Sequence, residues 1–232
     1  MCKNSVAIGD KLFFGPYMWR VLDVSDGKAL LITDDVIGVK QKHDSNKGPA
    51  GYGCSESCCD VNKYLNGEFL EGFSEAERAL IVNSDVHTKR DSVHYFEEYS
   101  PASAFSWKTR AEIFLLDDEE AGRYFKDNKD RIAMIKYTPE ALLYDGGNSY
   151  WREAHTSERA RLKAHGSLPI AWLLRNKTNF DTGSHFHTCT GYVNLEGKIG
   201  LTHPIMFEGL RPACWVNIDG FGSEKCLMTE KD

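Results

Sequence analysis

Two arginines set inside apolar runs near the end of the chain constrain its folding more than any other feature. One closes Ile170-Ala-Trp-Leu-Leu-Arg175, and the other lies within Glu208-Gly-Leu-Arg-Pro-Ala-Cys-Trp215. A guanidinium among buried side chains is very costly unless a carboxylate or a carbonyl meets it. Arg175 and Arg211 are therefore expected to be structural, holding core strands in register, with Asp23, Asp34 and Glu208 as alternative partners. Trp172 and Trp215 belong to the same runs. They are expected to form the framework together with Trp19 near the start of the chain.

The rest of the chain supplies elements for such a framework. Asp10 to Asp23 reads as two short strands about a Gly15-Pro16 break. Ser25-Asp-Gly27 is a tight-turn signal, with Ala29-Leu-Leu-Ile-Thr33 as the returning strand. From Lys40 to Cys59 the chain is polar and glycine-rich, as an irregular loop would be. Val61, Tyr64 and Leu65 share one helical face, and Gly67 is the stop. Ser74-Glu-Ala-Glu77 is a capping box for a second short helix. The stretch from Asn83 to Lys108 has no sustained period and reads as loop with at most one strand. A short buried segment, Glu112-Ile-Phe-Leu-Leu116, then precedes a helix capped by Asp117 or Asp118. Thr138-Pro139 suggests another helix start, and Asp145-Gly-Gly-Asn-Ser149 a turn. Strands are expected at 171–174, 192–195, 198–201 and 212–218, with Glu196-Gly197 as a hairpin turn. Strands at both ends with helices between them imply one α+β domain over residues 1–232 whose termini share a sheet.

Bulk properties narrow the function classes. Hydrophobic residues at 41% and charged residues at 27% suit a globular protein. A net charge of −6 and no cluster of Lys and Arg free of acidic neighbours argue against nucleic-acid binding. No apolar run reaches the roughly 20 residues of a membrane span, and the opening residues hold no secretory apolar region. The expected location is cytoplasmic, with the seven cysteines as reduced thiols.

Five motifs in order carry a family resemblance. Phe14-Gly-Pro-Tyr-Met-Trp-Arg-Val-Leu-Asp23 comes first, followed by Ala29-Leu-Leu-Ile-Thr33 and by Tyr64-Leu-Asn-Gly-Glu-Phe69 with Phe73-Ser-x-x-Glu77. Ile170-Ala-Trp-Leu-Leu-Arg-Asn176 and Gly209-Leu-Arg-Pro-Ala213 complete the series. Over nearly its whole length the chain resembles a bacterial family of uncharacterised domains whose order is W-x-V-L-D, L-L-I-S, R-x-W-L-N, W-W-L-R-S and G-V-R-P-A. It departs from the pattern at Asn62, Tyr64 and Asn176, which stand in place of Arg, Trp and Ser, and in the cysteine-rich 43–59 segment. The ending is in turn similar to C-type-lectin-like domains of the formylglycine-generating-enzyme type. The resemblance implies a C-type-lectin-like α+β single domain, with short helices between N- and C-terminal antiparallel strands. It implies no reaction.

Two constellations bear on function. Asn176-Lys-Thr-Asn-Phe-Asp-Thr-Gly-Ser184 reads as a polar loop between core strands, where binding residues concentrate. The expected reading is a non-catalytic module displaying a 176–188 loop to a protein or glycan ligand, through Asn176, Asn179, Asp181, His185 and His187. The alternative is a metal- or thiol-dependent enzyme. In a strand His185, His187 and Cys189 would face one way, two nitrogens and a sulfur suited to zinc, with His203 or Cys54 to complete the set. Cys54 and Cys58 also have zinc-ligand spacing, but no second pair lies nearby. There is no nucleophile elbow and no phosphate-binding glycine loop.

Overall fold

A computed structural model describes residues 6–41, 60–88, 101–104, 107–138, 157, 159–181, 186–202 and 206–219; of residues 41, 88, 101–104, 107, 177–181, 186–188 and 207 it describes the backbone alone. Strands β1 (Lys11–Phe14) and β2 (Tyr17–Ser25) form the first hairpin. Asp26 and Gly27, at φ 52° and 70°, make the two-residue turn into β3 (Lys28–Thr33). Positive φ at both turn positions matches the right-handed strand twist, which is why Asp-Gly serves there. Strand β4 (Val39–Gln41) follows, then the short helices α1 (Asp60–Leu65), α2 (Glu68–Glu71) and α3 (Glu75–Arg78). Next come β5 (Ser84–Thr88), β6 (Pro101–Ala104), β7 (Trp107–Ala111), α4 (Asp118–Tyr124), α5 (Asn128–Arg131) and β8 (Ala133–Lys136). The chain closes with β9 (Ser167–Ile170), β10 (Trp172–Asp181), β11 (Phe186–Val193), β12 (Ile199–Thr202), β13 (Phe207–Gly209) and β14 (Ala213–Asn217).

The architecture is α+β, and strands from both ends of the chain do share a sheet, in the order β1-β2-β3-β14. That sheet is covered on both faces, which explains the unbroken apolar run in β3. Ala29 and Leu31 join Leu12, Trp19, Val21, Cys214 and Val216 in one core cluster, completed by Val61, Leu65, Phe69 and Phe73 from the helical segment. Leu30 and Ile32 join a second cluster with Phe125, Ile135, Trp172 and Leu174. Each cluster forms because successive strand residues point to opposite faces.

The second sheet runs β12-β11-β10-β13-β4, with β6 also paired to β10. The apolar segment expected at 112–116 lies between the sheets. Phe114 exchanges backbone hydrogen bonds with Ala213 at 2.9 and 2.7 Å, and the Arg175 amide donates to the Leu116 carbonyl at 2.9 Å. Asn66 accepts the Ile113 amide at 3.1 Å and donates to its carbonyl at 2.8 Å, so these bonds together pair backbone groups that burial of Ile113, Phe114, Leu115 and Leu116 would otherwise strand.

Several expectations change. The 83–108 stretch, read as mostly loop, carries β5, β6 and β7. Among the described β5 side chains only Val86 is buried, so no apolar alternation marks this strand in the sequence. Helix α2 was not anticipated. The 176–188 segment, expected as a loop, is strand to Asp181 and again from Phe186. There β10 takes partners on both sides, β11 and β6, so the ladder absorbs backbone that its polar composition suggested was free. Thr138-Pro139 as a helix start, the 145–149 turn and the cysteines at 54, 58 and 59 lie outside the described residues.

Candidate functional site

The β10–β11 hairpin is rooted in the core by Arg175. Between Leu173 and Lys177 the pairing with β11 shifts, since four steps along β10 answer two from Tyr192 to Thr190. The Thr190 hydroxyl sits over the shift, within 3.3 Å of the Leu174 carbonyl and 3.1 Å of the Asn176 carbonyl. Arg175 leaves the irregular stretch and is 1% exposed. Its Nη1 donates to the Leu115 carbonyl at 2.7 Å and to Glu120 Oε2 at 2.6 Å. Its Nη2 donates to the His87 carbonyl at 3.0 Å and to Asp117 Oδ2 at 2.8 Å.

Those two carboxylates also form the capping box of α4. Asp117 Oδ1 accepts the Glu120 amide at 2.8 Å, and Glu120 Oε2 accepts the Asp117 amide at 3.0 Å. One D-x-x-E motif therefore ends the apolar segment, starts a helix and clamps β10. Burial pushes the Asp117 carboxyl up, against the pull of the Arg175 cation. None of Asp23, Asp34 and Glu208 supplies these partners. The sequence did contain a signal: Asp117 and Glu120 are acids at capping-box spacing directly after a buried run.

Arg211 is 2% exposed and is held differently. Its Nε donates to the Thr33 carbonyl at 2.9 Å and one Nη to the Asp34 carbonyl at 3.2 Å. Its guanidinium carbon lies 5.1 Å from the Phe125 ring centroid and 5.3 Å from that of Trp172. Asp34 thus serves through its backbone, while its carboxylate pairs with Lys11 at 2.9 Å. Burial pulls the Arg211 guanidinium down to about 10. The indole N–H groups of Trp19 and Trp172 donate to the carbonyls of Phe14 and Arg131 at 2.7 and 3.0 Å. Both rings are fully buried, whereas Trp215 is half-buried.

The residues singled out for ligand or metal contact are distributed over different surroundings. Asn176 is 1% exposed, its side-chain amide makes no hydrogen bond, and it packs against Gly191 so closely that a Cβ there would collide with it. A solute reaching Asn176 would have to open the sheet. Asn179 and Asp181 pair with Thr188 and Phe186 across the hairpin, and His187 and Cys189 pair with Phe180 and Thr178. Directly paired residues share a face and neighbours alternate, so Asn179 and Asp181 occupy one face of the hairpin, His187 and Cys189 the other. His185 lies outside the described residues. The Cys189 thiol is half-buried and burial pushes it up; the fully buried Cys214 thiol is pushed up further. Among the described residues no group of three or more His, Cys, Asp or Glu is placed to hold a metal. Among them, too, no helix is long and apolar enough to cross a membrane.

Residues 26–218 match the family described as Domain of unknown function (DUF6273). The chain belongs to that family. The matched span runs from the β2–β3 turn to the residue after β14, so it contains both arginines, the D-x-x-E clamp and the hairpin. No curated protein and no solved structure matches the chain.

Proposed function

We propose that this DUF6273 chain is a non-catalytic binding module of C-type-lectin-like arrangement, presenting the β10–β11 hairpin to a protein ligand. The observation that carries the reading is the rooting of β10. Four hydrogen bonds from one buried guanidinium fix the strand where it leaves the core. The polar residues beyond, Asn179, Asp181 and His187, are thereby carried on a preorganised element, which lowers the entropy lost on association. Sharing of one sheet by β1, β2, β3 and β14 agrees with a lectin-like closure by a late Gly-Leu-Arg segment. The described thiols favour binding over catalysis, since burial that raises a thiol's pKa suppresses the nucleophilic thiolate.

The test is selection of displayed peptides against the wild-type chain, followed by measurement on two variants, Asn179→Ala with Asp181→Ala, and His187→Ala. Selected peptides are expected to bind about tenfold or more weakly to one variant and not the other, because the substitutions lie on opposite hairpin faces. Unfolding midpoints should stay at the wild-type value. Peptides that bind all three chains equally would overturn the reading. Hairpin-dependent signals on a glycan array alone would reassign the ligand class.

A further inference from the structure

We infer that a cleft beside Trp215, built from elements other than the hairpin, is a binding site for the ring of a neutral saccharide. The cleft has a volume of about 350 Å³ and is lined by Ser25, Asp26, Lys28, Asn83, Asp85 and Trp215 among others. That size stands at the lower end of the roughly 300–1,000 Å³ typical of small-molecule sites.

Its walls are backbone segments fixed by hydrogen bonds. The Val82 amide donates to the Trp215 carbonyl at 2.8 Å, and the Asn217 amide to Leu80 at 2.9 Å, so the chain ahead of β5 runs along the outer side of β14. The Ile218 amide donates to the Gly27 carbonyl at 2.9 Å, tying the β2–β3 turn to the end of β14. A Cβ at Gly27 would come within 2.6 Å of an Asp219 carboxylate oxygen, a close approach that keeps this corner compact.

The side chains supply the recognition chemistry. Trp215 is the exception among the described tryptophans flanking the core. The indoles of Trp19 and Trp172 are buried and bonded to carbonyls, but that of Trp215 is half-buried, lines the cleft and makes no hydrogen bond among the described residues. An indole of this kind offers a flat apolar face together with an available N–H donor. Lys28 makes no ion pair among the described residues, so its ammonium donors are available, and Asn83 is exposed with both a donor and an acceptor. Acceptors come from Asp26 and Asp85, the latter 3.4 Å from Arg110.

This combination discriminates among ligand classes. An anion would meet Lys28 but also two carboxylates, and a cation would meet those carboxylates but also Lys28. A neutral pyranose avoids both conflicts. Its C–H face lies on the indole, and its hydroxyls, each donor and acceptor, bridge Lys28, Asn83, Asp26 and Asp85.

The experiment titrates the full chain with methyl pyranosides of glucose, galactose, mannose and N-acetylglucosamine, read by indole fluorescence and by saturation-transfer NMR. At least one pyranoside is expected to saturate. Lys28→Ala and Asn83→Ala should each weaken it about tenfold with unchanged unfolding midpoints. Trp215→Phe, which retains an aromatic face but no N–H, should bind more weakly yet measurably, and it guards against loss of folding on removing the ring. The hairpin variants should bind as wild type, so failure here is distinguishable from failure of the protein-binding reading. Absence of saturation by all four sugars would overturn the inference. So would binding indifferent to Lys28 and Asn83, or Lys28-dependent displacement by inorganic phosphate, which would make the cleft an anion site.

Discussion

Arg175 at the root of β10 and Arg211 just ahead of β14 are almost equally inaccessible, at 1% and 2% exposure, yet the protein accommodates their charges by different means. Arg175 meets two carboxylates and two carbonyls, and both carboxylates are already oriented by the helix they cap. Arg211 meets two carbonyls and the faces of two aromatic rings. Carbonyl dipoles and ring quadrupoles compensate a cation less completely than a contacting anion does. The drop of the Arg211 guanidinium to about 10 expresses that incomplete compensation. A guanidinium remains protonated in proteins even so. Arg211 is thus a charged tie between the end of β3 and the rings of the second core cluster, whereas Arg175 is an ion-pair clamp. The clamp's removal strands buried charge; the tie's removal strands only neutral acceptors.

The largest expected effect follows from that distinction. Arg175→Met leaves Asp117, 4% exposed, and Glu120 without their cation, and breaking a buried pair in this way costs about 3–5 kcal/mol. Urea unfolding at pH 7 measures the loss. Adding Asp117→Asn to Arg175→Met should recover part of it, because Asn removes the stranded charge and still caps α4. Arg211→Met is expected to cost less, about 1–3 kcal/mol, since two carbonyls lose their donor while the desolvation of a buried cation is relieved. If Arg211→Met proved the more damaging, the contrast between clamp and tie would fail, and the π contacts would have to be the stronger restraint.

Much of the framework was legible because its signals are local. The Asp26-Gly27 turn needs only two residues that tolerate positive φ, and the Ser74–Glu77 and Asp117–Glu120 boxes are complete within four residues. The run in β3 was read as a returning strand, and its coverage on both faces emerges only from the two core clusters it joins. Long-range pairing was not legible. Arg175 and Asp117 are 58 residues apart, and although capping-box spacing marks Asp117 and Glu120 as helix caps, nothing in the order of the chain pairs them with Arg175 rather than Asp23, Asp34 or Glu208. The composition of 176–181 suggested a loop because backbone pairing by β6 and β11 is invisible to side-chain polarity. The cleft at Trp215 takes its lining from three separated stretches, so no local pattern could mark it.

The smallest effect concerns a third arginine that shares a ring with Arg211. Arg20 lies 5.4 Å from the Phe125 centroid and binds Asp130 through two hydrogen bonds of 2.8 and 3.1 Å. Those bonds, chiefly, hold the Asp130 carboxyl below its ordinary value, helped by the Lys126 amide at 3.0 Å. The folded value is the depressed one. The stabilisation is therefore present above the unfolded value near 3.8 and disappears as pH falls through the folded value below it. Being partly solvated, the pair is expected to contribute about 1 kcal/mol or less. Thermal unfolding of Asp130→Asn should fall short of wild type by a constant margin from pH 7 to about pH 5, a margin that narrows below about pH 4 as the wild-type carboxylate protonates. Asp130 also offsets the positive charge gathered around Phe125, since Arg20 works against the charged form of Arg211 and Asp130 favours it. In an Arg211→Met background the same substitution should therefore cost less than in wild type. Equal costs in both backgrounds would mean that the two arginines share the ring without sharing the charge.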